Sequence, residues 1–341
     1  MSVADAIAVA AAGQEVPAAM LEAAFDEIAR GAASPVRIAA LLVALRTKGE
    51  TVAEIAAAAR ALRRHAETAP LLDPRTVDTC GTGGDGSGSF NISTTAAFVV
   101  AGAGVRVAKH GNRAASSRTG SFDVLEALGV KADLSIASAA RLLRDVGIGP
   151  FFARRAHPAM RHVSAVRAEL PIRTLMNCLG PLLNPVGALR QLVGVYARAL
   201  VVPMAEVLLV LGSERALVVH GADGLDELTL SGPTHAALLE RGVVRELTID
   251  PRTLGLALAP ASALAGGDAA ENARITRAVL EGEPGPRQDI VLLNAGAALW
   301  IAEAAPDLAA GVALARSSIA SGAAKAKLAA LIEASRALAD A

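Results

Sequence analysis

Between residues 17 and 30, Met20, Leu21, Ala24, Phe25 and Ile28 recur at three- and four-residue spacing, which puts them on one face of a helix stopped by Gly31. Ser34-Pro35 supplies an N-cap and a first-turn proline for a second helix, through Leu41, Leu42 and Leu45 to about Lys48, ending near Gly49. Thr51-Val52-Ala53-Glu54 has capping-box spacing and opens a third helix that ends before Pro70. From Arg75 the pattern changes to short apolar runs ending in polar loops. Strands are predicted at 76–79, 105–108 and 217–220, with a helix through 94–101 between the first two. Residues 244–249 read as a strand, and 269–280, 289–302 and 322–339 as helices. This alternation predicts an α/β fold: a small N-terminal helical domain packed on a larger domain with a mainly parallel sheet, and a cleft between them. Residues 157–185 interrupt the alternation with basic helical sequence and LGPLLNP. They read as a return to the helical lobe, with crossings near Pro70, Pro150 and Pro185. The predicted division is therefore 1–70 joined by 157–185, against 71–341.

Composition narrows the function more than the fold. The apolar residues are mostly alanine, leucine and valine, which favours closely packed helices. Lys+Arg and Asp+Glu balance at 33 each, so there is no basic excess for nucleic acid, although a local basic pocket remains open. Cys80 and Cys178 lie far apart without CxxC spacing, which argues against a zinc site or a disulfide framework. No apolar run has membrane-spanning length and the N-terminus does not read as a signal peptide, so a cytoplasmic protein is expected.

The candidate chemistry lies in three clusters. Gly81-Thr82-Gly83-Gly84-Asp85-Gly86 is literally G-x-G-x-x-G. A dinucleotide site, however, needs a helix opening inside the loop and an acid about 20 residues on. Here the next helix is predicted only from about Thr94, and no acid occurs between Asp85 and Asp123. A Walker A loop fails too, because no Lys-Ser or Lys-Thr follows. What remains is a wider cradle, 81–94, in which glycines let amides approach phosphate and Ser87, Ser89, Ser93 and Thr94 add hydroxyls. Ser93 is placed to cap the following helix. Asp85 would repel a diphosphate unless a cation bridged them. The bland alternative is a tight turn, which would not need so many glycines followed by Asn91-Ile92-Ser93-Thr94. The second cluster is Lys109-His110-Gly111-Asn112-Arg113, continuing through Ala114, Ala115, Ser116 and Ser117 to Ser121. Its cations and hydroxyls suit phosphate and sugar. The third, Asp223-Gly224-Leu225-Asp226-Glu227, offers adjacent carboxylates of the kind that hold Mg²⁺ when phosphate supplies the other ligands. An acidic turn alone would say little.

These stretches, with AHPAMRH, LGPLLNP and HGADGLDELTLSGPT, resemble the anthranilate phosphoribosyltransferase family of tryptophan biosynthesis, over nearly the whole chain. The resemblance implies a homodimer formed through the N-terminal helices. It implies transfer of the 5-phosphoribosyl group of phosphoribosyl diphosphate (PRPP) to the amino group of anthranilate, giving N-(5-phosphoribosyl)anthranilate and diphosphate, with Mg²⁺. It makes Gly81, Gly84, Asp85, Ser89, Asn91, Ile92, Ser93 and Thr94 contacts to PRPP. The same holds for Lys109, His110, Gly111, Asn112, Arg113, Ala114, Ala115, Ser116, Ser117 and Ser121. Ser93, Asp226 and Glu227 match metal positions. Gly81, Asn112 and Arg167 match anthranilate contacts, and His110, His157 and Pro181 resemble the channel that admits anthranilate. A guanidinium at Arg167 suits a carboxylate. Lys109, His110 and Arg167 stand as the catalytic candidates, His110 as a relay for the amine proton. Ser89 replaces the family's usual Thr, and Cys178 and Leu183 replace its Leu and Thr. Two rivals remain. A pyrimidine nucleoside phosphorylase would leave Asp226-Glu227 unexplained. A relative that kept the fold but binds nucleic acid sits poorly with the balanced charge.

Overall fold

The structure is a computed structural model that describes residues 2–114 and 118–339. Four helices open the chain: α1 (Val3–Ala11), α2 (Ala18–Ala29), α3 (Pro35–Lys48) and α4 (Val52–Arg64). Their starts follow local chemistry. Ser34 accepts the Arg37 amide ahead of Pro35, and Thr51 and Glu54 close a reciprocal capping box. Glu54 does more than cap. It is fully buried, accepts the Val16 amide at 2.8 Å and pairs with Lys48 at 2.6 Å, tying α4 to the segments around α2 and α3.

The sheet begins with β1 (Val77–Gly81), α5 (Ile92–Gly102), β2 (Val107–Gly111), α6 (Ser121–Ala127), α7 (Ile136–Asp145) and β3 (Ile148–Phe152). The chain then leaves it through α8 (Ala153–Ala156), α9 (Arg161–Glu169) and α10 (Met176–Leu179). It returns as β4 (Arg190–Gly194), α11 (Val201–Val210), β5 (Arg215–Gly221), β6 (Thr234–Glu240) and β7 (Val243–Ile249). Helices α12 (Ala269–Leu280), α13 (Pro286–Ile301), α14 (Leu308–Ala320) and α15 (Ala323–Ala339) finish the fold. Strand order is β3-β2-β1-β4-β5-β6-β7, parallel from β3 to β5 and antiparallel beyond. The strand order reverses between β1 and β4, so the crevice at their carboxyl ends is where such a sheet binds ligands.

From β3 to β6 the sheet is covered on both faces, successive residues of a strand entering opposite cores. Val107, Leu192, Leu217 and Val219 enter a core with α5 and α12–α15. Val193, Ala216 and Val218 enter a second core with α1–α4, α9 and α11. Val163, Val166, Met176 and Leu182, from the stretch between β3 and β4, pack in that same core. No helix among the described residues is long and apolar enough to cross a membrane.

Pro150 lies inside β3, an edge strand, where a missing N–H is tolerated, and the chain leaves the sheet just after it, at Phe152. One local expectation changes. Helix α5 starts at Ile92 rather than Thr94. Strands β3, β4 and β6 carry no clean alternation because they are buried on both faces.

Candidate active site

The three polar clusters leave the carboxyl ends of β1, β2 and β5. Gly81 ends β1 in register with Gly194, which ends β4. A β-carbon on Gly81 would press into the Asp226 carboxylate, and one on Gly194 would overlap the Asp226 carbonyl. The paired glycines therefore let the loop after β5 descend onto the sheet, which brings Asp226 and Glu227 into the crevice. Gly83 and Gly84 then adopt φ of +65° and +76°, a turn that glycine tolerates without strain. This turn aims the Gly83 amide at Asp226 Oδ2, 2.7 Å away. Asp85 Oδ1 accepts the Ser87 amide at 3.1 Å and Oδ2 the Asp226 amide at 3.3 Å, so Asp85 closes the loop onto the acidic pair. Ser87 and Ser89 hydroxyls bond each other at 3.2 Å.

Ser93 does not cap α5. Asn91 holds the N-cap position without a side-chain cap bond, and the Ser93 amide is taken by Glu227 Oε1 at 3.1 Å. Glu227 thus supplies, from another loop, the negative charge a helix N-terminus favours. Asn91 is a strut: its Oδ1 accepts from Asn272 at 2.9 Å and its Nδ2 donates to the Thr119 carbonyl at 3.3 Å. The Ile92 side chain is buried in the core and its amide donates to Phe90, so in this conformation neither faces a ligand. Thr94 is buried, and its hydroxyl has no hydrogen-bond partner among the described residues.

The second cluster divides. Lys109 is 2% exposed and points inward, donating to the Thr79 carbonyl at 2.7 Å and to Ser93 Oγ at 3.4 Å. Burial lowers its pKa, while Asp78, Cys80 and Glu227 draw it back up. Arg113 turns outward to Glu126 at 2.5 Å and lies over Phe152, away from Lys109. Asn112 folds its Oδ1 onto the Arg113 amide, and its carbonyl accepts the Ser121 hydroxyl at 3.3 Å. A β-carbon on Gly111 would strike Ser121 Oγ, and the Ala114 amide goes to Asp123. Ala115, Ser116 and Ser117 lie outside the described residues.

Asp226 and Glu227 sit at the bottom of the crevice, partly reachable by solvent but crowded by protein. Desolvation and the neighbouring carboxylates, Asp85 foremost, raise Asp226 well above the usual carboxylate range. Desolvation pushes Glu227 up to about 7, with Lys109 and Ser93 opposing. Crowding and desolvation disfavour the ionised forms of such carboxylates, and a bound cation would favour them. Among the described residues no group of three or more His, Cys, Asp or Glu side chains is placed to hold a metal ion.

His110 and His157 face each other with Nε2 atoms 3.2 Å apart and rings edge to face. Burial, then the neighbouring His157, lowers His110 to about 3; burial lowers His157 to about 4. Both are neutral near pH 7, and an unfolded chain would take up protons below about 6.5 that the folded pair refuses. Their contribution to stability is therefore complete above that pH and lost as pH falls towards 4. Thermal unfolding should show a smaller drop between pH 7 and pH 5 for His157→Gln than for the parent; equal drops would contradict this assignment.

Pro181 is buried, its carbonyl accepting from Gln191 at 2.7 Å. Arg167 has no hydrogen bond or ion pair among the described residues; it is exposed, yet desolvation lowers its pKa, as for a cation in a cleft. No described contact joins it to Asn112. The structure adds Arg173, between α9 and α10, which donates to the Gly84 carbonyl and lies 4.3 Å over the Tyr196 ring. Tyr196 in turn donates its amide to Thr82 Oγ1 at 3.0 Å. Sequence pattern held no signal for Arg173, one basic residue among many between 154 and 173.

Residues 73–325 match the glycosyl transferase family, a/b domain, and residues 4–66 its helical bundle domain. The chain is similar to the anthranilate phosphoribosyltransferase of Rubrobacter xylanophilus, 54% identical over 337 residues that cover 98% of each chain. It resembles the crystal structure of anthranilate phosphoribosyltransferase from Thermus thermophilus, with a TM-score of 0.93 at 46% identity, covering 97% of this chain and 99% of that one. Anthranilate phosphoribosyltransferase from Saccharomyces cerevisiae, in complex with PRPP and Mg, aligns with a TM-score of 0.90 at 29% identity over 98% of both chains. Helical bundle and a/b domain follow one another on a single polypeptide, and relatives match it over almost its whole length; the chain belongs to the glycosyl transferase family, among its anthranilate phosphoribosyltransferases.

Proposed function

We propose that the protein transfers the 5-phosphoribosyl group of PRPP to the amino group of anthranilate, releasing diphosphate, in tryptophan biosynthesis. The observation that carries this reading is the convergence at the β1/β4 crevice of the glycine loop, buried Lys109 and the Asp226-Glu227 pair. The arylamine nitrogen forms a bond to the anomeric carbon as the bond to diphosphate breaks, and the amine proton leaves to solvent. No activated side-chain nucleophile is needed, so the protein contributes position and charge. Amides of the 81–88 loop and the Thr94 hydroxyl meet phosphate oxygens, with Lys109 near the departing diphosphate. Asp226, Glu227 and Ser93 would hold Mg²⁺; two carboxylates and a hydroxyl meeting in the crevice support that fit. When bound, Mg²⁺ supplies positive charge against the diphosphate as it departs. Arg167 pairs with the anthranilate carboxylate in the cleft. His110, with a pKa lowered to about 3, is a poor base, so with His157 and Pro181 it lines the acceptor's path rather than relaying a proton.

Finer readings belong to the same proposal. The lobes divide as 1–70 with 157–185 against 71–341, and the protein is a cytoplasmic homodimer. The outward side of α3, with Val36 at 78% exposed and Val43 beside it on the helix, supports pairing through the N-terminal helices. The test follows anthranilate fluorescence with and without PRPP and Mg²⁺. Consumption is expected only with both; none under any condition would reject the function. In the same assay Arg167→Ala should raise the anthranilate KM about tenfold or more with the PRPP KM kept. An equal rise in both would reject the Arg167 role.

A further inference from the structure

We propose that Asp78 and Asn184 form a polar wedge that interrupts the hydrogen-bond ladder between β1 and β2 and thereby positions Lys109 in the donor site. The observation is a ladder that stops. β1 pairs with β4 over five residues, 77–81 against 190–194, and β2 with β3 over five, 107–111 against 148–152. Between β1 and β2 only Val77 and Val107 pair. Continued in parallel register, the next bonds would run from the Thr79 amide to the Ala108 carbonyl and from the His110 amide to the Thr79 carbonyl.

Side chains reach three of those four groups. The Ala108 carbonyl accepts from Asn184 Nδ2 at 2.8 Å. The His110 amide donates to Asp78 Oδ1 at 3.3 Å. The Thr79 carbonyl accepts from Lys109 Nζ at 2.7 Å. Asn184 Nδ2 also donates to Asp78 Oδ2 at 2.8 Å, which joins the two halves of the wedge. The Val186 amide donates to Asn184 Oδ1 at 3.0 Å and fixes which way the amide faces. Asp78, Lys109 and Asn184 are 0%, 2% and 5% exposed, so these bonds compete with no solvent.

A backbone group buried in a sheet needs a partner, and the ladder would ordinarily supply it. Asp78 takes the His110 amide and Asn184 the Ala108 carbonyl, which leaves the Thr79 carbonyl to the Lys109 ammonium beside Ser93. Were the ladder continued, the His110 amide would turn to that carbonyl and compete with Lys109 for it. Asn184 sits three residues after Pro181, in the stretch that returns from the helical lobe, so the wedge also ties that stretch to the strand ends. Asp78 and Asn184 are positioning residues acting through Lys109.

This rests on the reading that Lys109 serves the donor, and a double-mutant cycle separates the two. Lys109→Ala, Asn184→Ala and their combination are assayed for kcat and both KM values, per mole of enzyme shown folded by thermal unfolding. Asn184→Ala alone is expected to lower kcat about 10- to 100-fold with the anthranilate KM unchanged. In the Lys109→Ala background the same change should cost less than about threefold, because the residue it positions is gone. A purely structural role would give the same loss in both backgrounds, and that result overturns the wedge while leaving the Lys109 reading intact. Full activity of Lys109→Ala overturns both. If Asn184→Ala does not fold, Asp78→Asn carries the cycle: it keeps the shape, and an amide there can accept from only one of the two present donors. The same coupling is expected of it.

Discussion

Asp226→Asn combined with Glu227→Gln is expected to lower Mg²⁺-dependent turnover about 10²- to 10³-fold, the scale on which a site loses charge stabilisation of its transition state. The fold should survive, for a reason visible in the contacts. Asp226 accepts the Gly83 amide and Glu227 the Ser93 amide, and an amide oxygen can accept both. What disappears is charge. Burial and neighbouring carboxylates raise both pKa values in the folded protein, Glu227 to about 7. Between its ordinary value and about 7, the folded chain binds a proton at Glu227 that the unfolded chain does not. The pair therefore costs stability as pH rises through that window. The doubly substituted protein should unfold a few degrees above the parent at pH 8, with little difference at pH 4. Loss of turnover with a gain in thermal stability separates a ligand pair from a structural one. Turnover within threefold of the parent at limiting Mg²⁺ would reject the metal assignment, and a large drop in unfolding temperature would reject the charge argument.

Helices α2, α3 and α4 were legible because their signals are local, whereas α1, α6, α7, α11 and α14 were not predicted. Ser34-Pro35, Thr51 with Glu54 and the glycines that stop α2 and α3 act within one turn, and they set boundaries to within a residue or two. Strands β3 and β4 were not legible. Each is a five-residue run buried on both faces, with no alternation, and β3 contains a proline that only its edge position explains. For the site, residue types were readable and their orientations were not. Lys109 and Arg113 stand four apart in one basic segment, yet one turns into the sheet and the other out to Glu126. That choice depends on Thr79 and Glu126, which composition does not join to them. Ser93 has the look of an N-cap, but the acid that serves the start of α5 comes from 134 residues away in the chain. Arg173 and Asn184 act across the fold, and only coordinates reveal such partners.

Gly194→Ala should be nearly as damaging as removing the carboxylates, although position 194 carries no chemistry. Sequence reading assigns Gly81 to phosphate approach and passes over Gly194. The register puts them side by side at the ends of β1 and β4, with the Asp226 loop resting on both. A methyl at 194 meets backbone rather than the flexible end of a side chain, so either β4 or the 222–227 loop must move. β4 is held between β1 and β5 in the middle of the sheet, which leaves the loop as the part that yields. A shift of about 1 Å at a reacting site costs on the order of 10²-fold in rate, and overpacking costs about 1–3 kcal/mol of stability. The expected result is a fall of about 100-fold in kcat, a weaker response to Mg²⁺ and a lower unfolding temperature. Gly232→Ala is the matched control: its added carbon would lie at an ordinary 3.6 Å from Ala222, so rate and stability should stay close to the parent. If Gly194→Ala turns over at the parent rate, the descent of the Asp226 loop onto paired glycines is not what builds the site.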